Sequence, residues 1–504
     1  MTLPAAAAEP SDADCLAATA TRPHPLLLIL LLATACRLPL AFWPNFHHPD
    51  EIFQYLEPAS RIWGDDSIVS WEWRHGIRSW LLPTIMAGPV AIGDWLVPGG
   101  SGAFILSRLL AAIASLSIVA SAWAFGARLS RTHAILAGFV AAIWFEFVYF
   151  APHTLSEPLA TALILPAAVL LTRDPPTRRH LIEAGALLAF AVLIRFQYAP
   201  AIAVLVLQTC WRDWSRMVPL ALGGGIVLAV GAMVDAAHGA VPFAWMVANI
   251  HQNLFLGRSA EFGTAPASVY GIWILGAWSL AVVPLGLAIW QGGRRTPILF
   301  WIALTNLVTH SLIAHKEYRF IFLSVTLFIL LAALGSADWI ATPRSPARRR
   351  WAGLLIAGGW MSASAVLAAT GAMPDQWMKG IGAARLAAEL KADPQMCGLA
   401  LYDAPFYLLP GRSRLAGDKP LFALYSTDPL IRGRLAGTAG AVSSEFNRML
   451  AYQRAAPELP ANFTARDCDM VGGAPLCIFA RDGACEPAEG PDLTLNDVLE
   501  RIDR

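Results

Sequence analysis

The stretch PLLLILLLATACRLPLAFW (residues 25–43) runs directly into PNFHHPDEIFQYLEP (residues 44–58). The first segment can cross a bilayer, because a transmembrane helix needs about 20 mostly apolar residues. The second segment places Asp50, Glu51 and Glu57 just beyond that helix. Acidic side chains at the mouth of a membrane helix are costly and more often serve function than decoration. The two segments together predict a membrane protein with a reactive first loop.

The composition of the whole chain agrees with a polytopic membrane protein. Of its 504 residues, 56% are hydrophobic and 14% are charged, whereas a soluble domain carries about 25% charged residues. The net charge is +1, and the basic residues form short clusters between apolar runs. This pattern argues against a nucleic-acid-binding surface. The sequence has no GxxxxGK[ST] phosphate loop, so it does not indicate an ATPase.

Clusters of arginine mark the cytoplasmic loops of a membrane protein. Keeping every cluster on one side requires about eleven spans, with the N-terminus inside and the C-terminus outside. The basic clusters are Arg128/Arg131, Arg173/Arg178/Arg179, Arg212/Arg216, Arg294/Arg295 and Arg344/Arg348/Arg349/Arg350. The predicted spans lie at about residues 24–43, 103–127, 133–150, 156–172, 180–194, 197–211, 216–236, 268–291, 297–314, 319–338 and 352–371.

This topology divides the chain into three parts. Residues 1–23 are predicted to be a disordered cytoplasmic tail before an uncleaved first span, with a cleaved signal peptide as the alternative. Residues 24–372 form a transmembrane domain with a first external loop at 44–77. The apolar segment 78–98 is predicted to be interfacial or re-entrant, since a full crossing there would invert every later span. The remainder, 373–504, is predicted to be extracytoplasmic.

The spans on either side of Arg195 are short for a bilayer. The alternative to two short spans is one long tilted helix.

The C-terminal part, 373–504, has the composition of a small mixed α/β domain. It contains alternating apolar positions and four of the seven cysteines: Cys397, Cys468, Cys477 and Cys485. Outside the cytoplasm these cysteines can form two disulfides in three different pairings. Unpaired buried cysteines are the alternative, and the spacing is not that of a zinc site.

The acidic loop contains the candidate catalytic residues, Asp50 and Glu51. Asp50, near His47 and His48, could take a proton from an attacking hydroxyl as a general base. The alternative is that both carboxylates cap the helix that follows, and Glu57 has a structural role. A metal site made by His47, His48 and Asp50 is a third alternative with unfavourable geometry, so we expect no metal.

Cationic residues elsewhere on the same side of the membrane are candidate phosphate ligands. His315, Lys316 and Arg319 lie between two apolar spans, where cations are disfavoured unless they have a role. Glu317 would orient or neutralise them, and an ordinary solvated turn is the alternative. Arg195 interrupts an apolar run and is the fourth candidate, with snorkelling to the interface as the alternative.

Four further residues are candidate substrate ligands. Glu72 and Arg78 lie in WEWRHGIRSW (71–80), a mixture of aromatic and polar groups that suits sugar rings and also suits a membrane-interface belt. Glu157 follows the short loop at His153 and could instead cap a helix. His48 adjoins Asp50. Because all these motifs lie on one predicted side, they indicate a single active site there.

Three segments, taken in order, resemble motifs of glycosyltransferase family 22. They are HPDEIFQYLEPA (48–59), WEWRHGIRSW (71–80) and HKEYRF (315–320), and the resemblance covers roughly residues 30–340. The family comprises mannosyltransferases of glycosylphosphatidylinositol and N-glycan assembly that use polyprenyl- or dolichyl-phosphate-mannose. Within the family, the sequence of residues 71–80 most resembles the branch that adds the third mannose of glycosylphosphatidylinositol.

Two segments depart from the family pattern. In ANIHQNLFLGRSAEFGTAP (248–266), Phe262 and Ala265 stand where the family has Tyr and His. In HKEYRF (315–320), called the second motif below, Tyr318 stands where the family usually has Glu, so one acidic partner is missing.

The resemblance implies the GT-C architecture: an all-α polytopic membrane protein with about 11 transmembrane helices, here with a small C-terminal α/β domain. It also implies a catalytic Asp in the first external loop, which aligns with Asp50. The implied reaction is an inverting transfer of mannose from polyprenyl-phosphate-mannose to a glycolipid or glycan hydroxyl, with an α-1,2 linkage and no cofactor. The implied location is a bacterial inner membrane with a periplasmic site, or the endoplasmic reticulum membrane of a eukaryote.

Other functions fit parts of the pattern. A lipid or ion-coupled transporter would use Asp50, Glu51 and Arg195 as a pathway and would show inverted repeats. A GT-C transferase of another polyprenyl-phosphate sugar, or a non-catalytic assembly subunit, would keep the same architecture.

Overall fold

The computed structural model describes residues 24–98, 101–343, 345–488 and 490–503. The predicted tail, 1–23, and Arg344 of the last basic cluster lie outside these residues. Up to residue 392 the described chain is helical, and a small sheet follows. In chain order the α-helices are Pro25–Arg37, Glu57–Arg61, Trp71–Arg74, Leu81–Leu96, Gly102–Ala127, Arg131–Ile143, Phe145–Phe150, Ser156–Leu171, Arg178–Ile194, Ala199–Cys210, Met217–Ala237, Ala244–Ile250, Val269–Trp278, Val282–Arg295, Pro297–Ser311, Phe322–Ala341, Pro346–Ala369, Met373–Met378, Ile381–Ala392, Arg412–Leu415, Leu435–Ala441 and Leu495–Asp503.

Apolar helices long enough to cross a membrane confirm the prediction of a multi-pass membrane protein. Among the described residues, six segments qualify by length and composition: Pro25–Phe42, Gly102–Ala127, Trp214–Ala237, Val269–Arg295, Tyr318–Ala341 and Pro346–Ala369. Helices also occupy the other predicted span positions, but they are shorter. The total of eleven crossings therefore stays a prediction.

Two local expectations have different outcomes. The segment predicted to be interfacial forms the helix Leu81–Leu96, which contains Pro89, and its depth in the bilayer stays a prediction. At Arg195 the helix Arg178–Ile194 ends, and the next helix begins at Ala199. The alternative of one long tilted helix is wrong, because Arg195 has φ −146° and ψ 80° and interrupts the helical geometry.

The segment Tyr318–Ala341 is the central helix of the bundle, with 89% of its apolar window buried. It packs closely against Val282–Arg295, because glycines stand at the contact: a Cβ on Gly335 would collide with the carbonyl of Ala288. Since Arg319 lies at the start of this segment, the second motif (315–320) is anchored to this buried helix.

The C-terminal sheet has five strands, β1 Leu399–Tyr402, β2 Leu421–Leu424, β3 Arg448–Tyr452, β4 Thr464–Val471 and β5 Ala474–Ala480. Their order is β2-β1-β3-β5-β4. β1 pairs in parallel with β2 and β3, whereas β3 with β5 and β5 with β4 are antiparallel. The sheet shows that the C-terminal part is mixed α/β.

The first loop packs into the core of this sheet. Phe46, Ile52, Phe53 and Ile68 belong to the same buried apolar cluster as the strands. Burial of such side chains contributes about 1.5–3 kcal/mol each, so the loop is held firmly.

The last helix, Leu495–Asp503, adds polar contacts to the same loop. The Asn496 side chain accepts a hydrogen bond from the Val69 amide at 2.9 Å, and Arg74 Nε donates to Asp503 at 2.6 Å. The end of the chain therefore clamps the loop that contains the candidate base.

Both expected disulfides are present, and the structure selects one pairing of the three. Cys397 is bonded to Cys485 and Cys468 to Cys477. Cys468 and Cys477 are directly opposite each other on β4 and β5. The bond between Cys468 and Cys477 follows strand register, which the sequence alone does not reveal.

Glu57 joins the loop to the sheet region and makes stability depend on pH. It accepts hydrogen bonds from the amides of Ile68 at 2.6 Å and Arg412 at 2.8 Å. Burial raises its pKa to about 7 from an ordinary 4.5. The folded state holds the proton of Glu57 more tightly than the unfolded state does. Protonation therefore stabilises the fold fully below pH 4.5, and this stabilisation, about 3 kcal/mol, is lost as the pH rises through 7.

We therefore expect a Glu57→Gln variant to lack this pH dependence. Thermal unfolding in detergent should show the variant gaining stability relative to wild type between pH 5 and pH 8. The exposed Glu261 provides a control of the same residue type, Glu261→Gln, whose difference from wild type should stay constant. A constant difference for Glu57→Gln would contradict the prediction.

Candidate active site

Glu51 shapes the first loop from within. It lies in a π-helical turn, Glu51–Leu56, with none of its surface exposed. Its Oε1 accepts the His47 amide at 2.6 Å, and its Oε2 lies 2.9 Å from His153 Nδ1. Glu51 therefore binds amides of the segment that precedes the helical turn, and the side chain of Asp50, which begins the turn, makes no capping hydrogen bond. The structure does not bring Glu51 to the ion pairs around Asp50.

Asp50 faces the other way, toward buried cations. Its Oδ2 accepts a hydrogen bond from Arg319 Nη2 at 2.7 Å, and its Oδ1 lies 3.0 Å from His48 Nδ1. Burial acts to raise the pKa of Asp50, but the charges of Arg319 and His48 hold it well below the usual value. Asp50 is therefore a carboxylate at neutral pH and is able to accept a proton.

Arg319 is shared among three carboxylates. Besides Asp50, its Nε lies 2.7 Å from Glu317 and its Nη1 lies 3.5 Å from Glu157. Arg195 Nη2 is 3.1 Å from the same Oε1 of Glu157. Arg319 is only 3% exposed. Charges in such a buried environment interact strongly. The sequence-predicted Asp50, Arg319, Glu157 and Arg195 are thus one buried ionic network.

His48 and His315 extend the network on the side of Glu317. His48 Nε2 lies 3.4 Å from one Glu317 oxygen, and His315 Nε2 lies 3.0 Å from the other. Glu317 therefore connects the first loop to the second motif and orients both imidazoles.

Lys316 has a different environment from the one that the sequence predicts. Its Nζ donates to the carbonyls of Ala265, at 3.0 Å, and Ile313. His315 Nδ1 similarly lies 2.9 Å from the carbonyl of Gly263. These contacts fasten the loop 248–266 to the second motif. The structure gives Lys316 carbonyl partners and does not bring it to Asp50.

Glu72 and Arg78 lie beside the network. Gln54 donates to Glu72 at 2.9 Å, and Arg78 Nη2 is 3.9 Å from the same carboxylate oxygen. Arg78 lines a cleft together with Arg195 and Tyr55. Arg78 and the phosphate candidate Arg195 therefore share one cleft.

Glu146 is a buried carboxylate that the sequence-based set omits. The Tyr318 hydroxyl donates to it, and the indoles of Trp144 and Trp278 donate at 2.7 and 3.3 Å. Tyr318, which departs from the family pattern, thus has an acidic partner from another helix. The signal was present in the sequence, because Glu146 interrupts an apolar run just as Arg195 does.

The sequence-based set of site residues also omits His153, whose Nδ1 contacts the carboxylate of Glu51. Within the described ranges, no group of three or more His, Cys, Asp or Glu side chains is arranged to hold a metal ion. Metal independence stays a prediction.

Known proteins with related sequences are mannosyltransferases. The chain is 26% identical to GPI mannosyltransferase 3 of Yarrowia lipolytica over 80% of this chain and 78% of that protein. The Drosophila melanogaster protein of the same name is 26% identical over 61% of this chain, and the chain spans 56% of its length. GPI alpha-1,2-mannosyltransferase 3 of Bos taurus is 23% identical over 54% of this chain and 52% of its own length.

Solved structures show the same fold. ArnT from Cupriavidus metallidurans bound to undecaprenyl phosphate superposes with a TM-score of 0.59 and 12% identity, covering 92% of this chain and 99% of ArnT. Its apo form gives a TM-score of 0.58 and 13% identity, covering 90% and 97%. At this identity the likeness concerns the fold alone, and it confirms the GT-C architecture.

The sequence profile of the Alg9-like mannosyltransferase family matches residues 28–380. This range includes Asp50, Arg195 and the whole second motif. The transporter and the non-catalytic subunit are therefore set aside. The chain is a glycosyltransferase that belongs to the Alg9-like mannosyltransferase family.

Proposed function

We propose that this protein transfers mannose, with inversion, from polyprenyl-phosphate-mannose to a hydroxyl of a glycolipid or glycan at the extracytoplasmic membrane face. One observation carries the proposal: the ionised carboxylate of Asp50 lies 2.7 Å from a buried guanidinium, Arg319. The reaction needs such a pair, a proton acceptor beside a cation that stabilises a phosphate leaving group.

The proposed reaction is a single displacement at the anomeric carbon of mannose. The acceptor hydroxyl oxygen forms a bond to the anomeric carbon of mannose while its proton passes to Asp50. On the opposite face of the sugar, the bond from the anomeric carbon to the phosphate oxygen breaks, and polyprenyl phosphate leaves with the electron pair. That leaving group is already a stable anion, so Arg319 and Arg195 are needed as cations and no general acid is required. Glu157 holds both arginines in place.

The relatives support the donor, the acceptor class and the linkage. ArnT is described with bound undecaprenyl phosphate, which supports a lipid-phosphate donor. The relatives named GPI mannosyltransferase 3 support a glycolipid acceptor, and the name of the bovine protein supports an α-1,2 linkage. Residues 24–372 would then be the catalytic domain, and 373–504 an extracytoplasmic domain in which disulfides persist.

Offering purified protein a choice of donors tests the proposal. In detergent with a glycolipid acceptor mixture, we expect consumption of polyprenyl-phosphate-mannose and release of polyprenyl phosphate, but no consumption of GDP-mannose or of polyprenyl-phosphate-arabinose. Activity should survive EDTA, since the proposed step uses no metal. The Asp50→Asn protein measures spontaneous donor hydrolysis. Consumption of the arabinose donor in place of mannose would refute the proposed substrate.

The proposed face of the site has its own test. In a background with Cys15, Cys36 and Cys210 replaced by serine, cysteines introduced at Asp65 and Glu261 should react with a membrane-impermeant maleimide in intact cells. A cysteine at Arg179, which is 85% exposed in a predicted cytoplasmic loop, is the matched control and should react only after permeabilisation. The reverse pattern would place the active site on the cytoplasmic face.

A further inference from the structure

A narrow cleft opens where the first-loop region meets the helix break at Arg195. Its lining includes Tyr55, Arg78, Arg195, Trp245 and Asn249, together with apolar side chains such as Leu82. Two guanidinium groups in one partly apolar cleft are costly unless an anion or hydrogen-bond acceptors balance them.

Arg195 projects from a break in the bundle. The helix ends at Ile194, and irregular backbone at membrane depth is tolerated where it is buried in protein or lines a polar cavity. The side chain pairs with Glu157 through Nη2 and lies 4.8 Å from the Phe320 ring. Its Nε is buried and has no hydrogen-bond partner among the described residues, and the residue is 7% exposed.

Arg78 reaches the same cleft from the first-loop region. The facing oxygen of Glu72 is 3.9 Å from Arg78 Nη2, too far for a hydrogen bond. Within the part of the chain that the structure describes, the buried Nε of Arg78 also lacks a hydrogen-bond partner. Both arginines thus present an unsatisfied buried donor, and such donors are rare in folded proteins without a ligand or water.

We propose that the phosphate of the lipid-linked donor binds between Arg78 and Arg195, a site that rests on the proposed function. Guanidinium donors match phosphate oxygens in geometry and charge. Leu82, Leu193 and Phe196 line the same cleft, so an isoprenoid chain attached to the phosphate meets apolar surface. Arg78 therefore belongs with the phosphate ligands rather than with the sugar ligands, and Lys316 is not needed for binding.

The cleft is also connected to the proposed base. Glu157 contacts Arg195 and Arg319 through one oxygen, and Arg319 contacts Asp50. Tyr55 lies within electrostatic reach of Arg78, Glu157 and Asp50, and burial raises the pKa of its hydroxyl, which stays a donor. The cleft is thus joined to Asp50 by a continuous chain of charged contacts.

Binding of polyprenyl phosphate to the detergent-purified protein tests the site, with no acceptor needed. Wild type should bind polyprenyl phosphate in calorimetry and should bind inorganic phosphate, the uncharged polyprenol and phosphatidylglycerol at least tenfold more weakly. Arg78→Met removes the charge and keeps the length, and we expect about tenfold to a hundredfold weaker binding of polyprenyl phosphate. Arg78→Lys should restore part of the loss. Arg61→Met, an exposed arginine in the same loop that does not line the cleft, should bind like wild type.

Arg195 needs a more conservative change, because Arg195→Met would remove the nearer of the two arginines that pair with the buried Glu157. Arg195→Lys keeps the charge and removes the unpaired Nε, and we expect about tenfold weaker binding with unchanged thermal unfolding.

A wrong donor class and a wrong binding site would give different results in this experiment. If wild type does not bind polyprenyl phosphate, the proposed donor class is wrong and this site falls with it. If wild type binds it and Arg78→Met binds equally well, the donor class stands and this site is wrong. Equal affinity for phosphatidylglycerol would also overturn the site, because the cleft would then be a general lipid contact.

Discussion

Replacing Asp50 by Asn is expected to reduce mannose transfer at least about a hundredfold, the scale for removal of a catalytic base. The amide oxygen can still accept the hydrogen bond from Arg319 that the carboxylate accepts at 2.7 Å. Arg319 also retains Glu317 and Glu157. The fold should therefore persist while the proton acceptor is lost. Initial rates with polyprenyl-phosphate-mannose, measured beside thermal unfolding in detergent, check both parts.

The control for this variant is Asp65→Asn, since Asp65 is an exposed aspartate of the same loop. It should transfer mannose at the wild-type rate. A near-normal rate for Asp50→Asn, with the expected fold, would remove Asp50 from the catalytic role. A large fall in its unfolding temperature would show that the pair with Arg319 is chiefly structural.

Arg319→Gln should have the broadest effect of any single change. It leaves three carboxylates, Asp50, Glu317 and Glu157, without their common cation. Removing one partner of a buried ion pair costs about 3–5 kcal/mol, so we expect a clear fall in the unfolding temperature. Transfer should be lost as well, because both Asp50 and the leaving phosphate lose a positive charge.

A conservative variant separates these two effects. Arg319→Lys keeps the charge but lacks the fork that reaches several carboxylates at once, so it should recover most of the stability and little of the transfer. Arg179→Gln removes an exposed arginine that pairs with Glu183 at the surface, where an ion pair contributes little to stability. It should behave as wild type in both measurements. Full transfer by Arg319→Gln would contradict the proposed network.

The positions of the helices and the convergence of the motifs could be predicted from the sequence, because both follow from local patterns. Long apolar runs predict membrane helices wherever they occur, and arginine clusters indicate which loops share a side. Asp50 and Arg319, 269 residues apart, were expected at one membrane face and are in direct contact.

What escaped prediction depends on contacts between distant segments. One carbonyl partner of Lys316, Ala265, comes from a loop 51 residues away, and a charge in a sequence does not reveal whether a carbonyl or a ligand will satisfy it. The partner of Tyr318, Glu146, lies on a different helix. The break at Arg195 was ambiguous in the sequence, because the same apolar residues are compatible with one continuous helix or with two helices separated by a break.

The clamp between the first loop and the end of the chain has a consequence for biosynthesis. The two contacts that fasten this loop, Val69 to Asn496 and Arg74 to Asp503, join residues 427 and 429 positions apart, so the loop is synthesised long before its partners. These two contacts can form only after the helix Leu495–Asp503 has been synthesised and lies beside the loop. The final packing of the first loop is therefore a late step of folding.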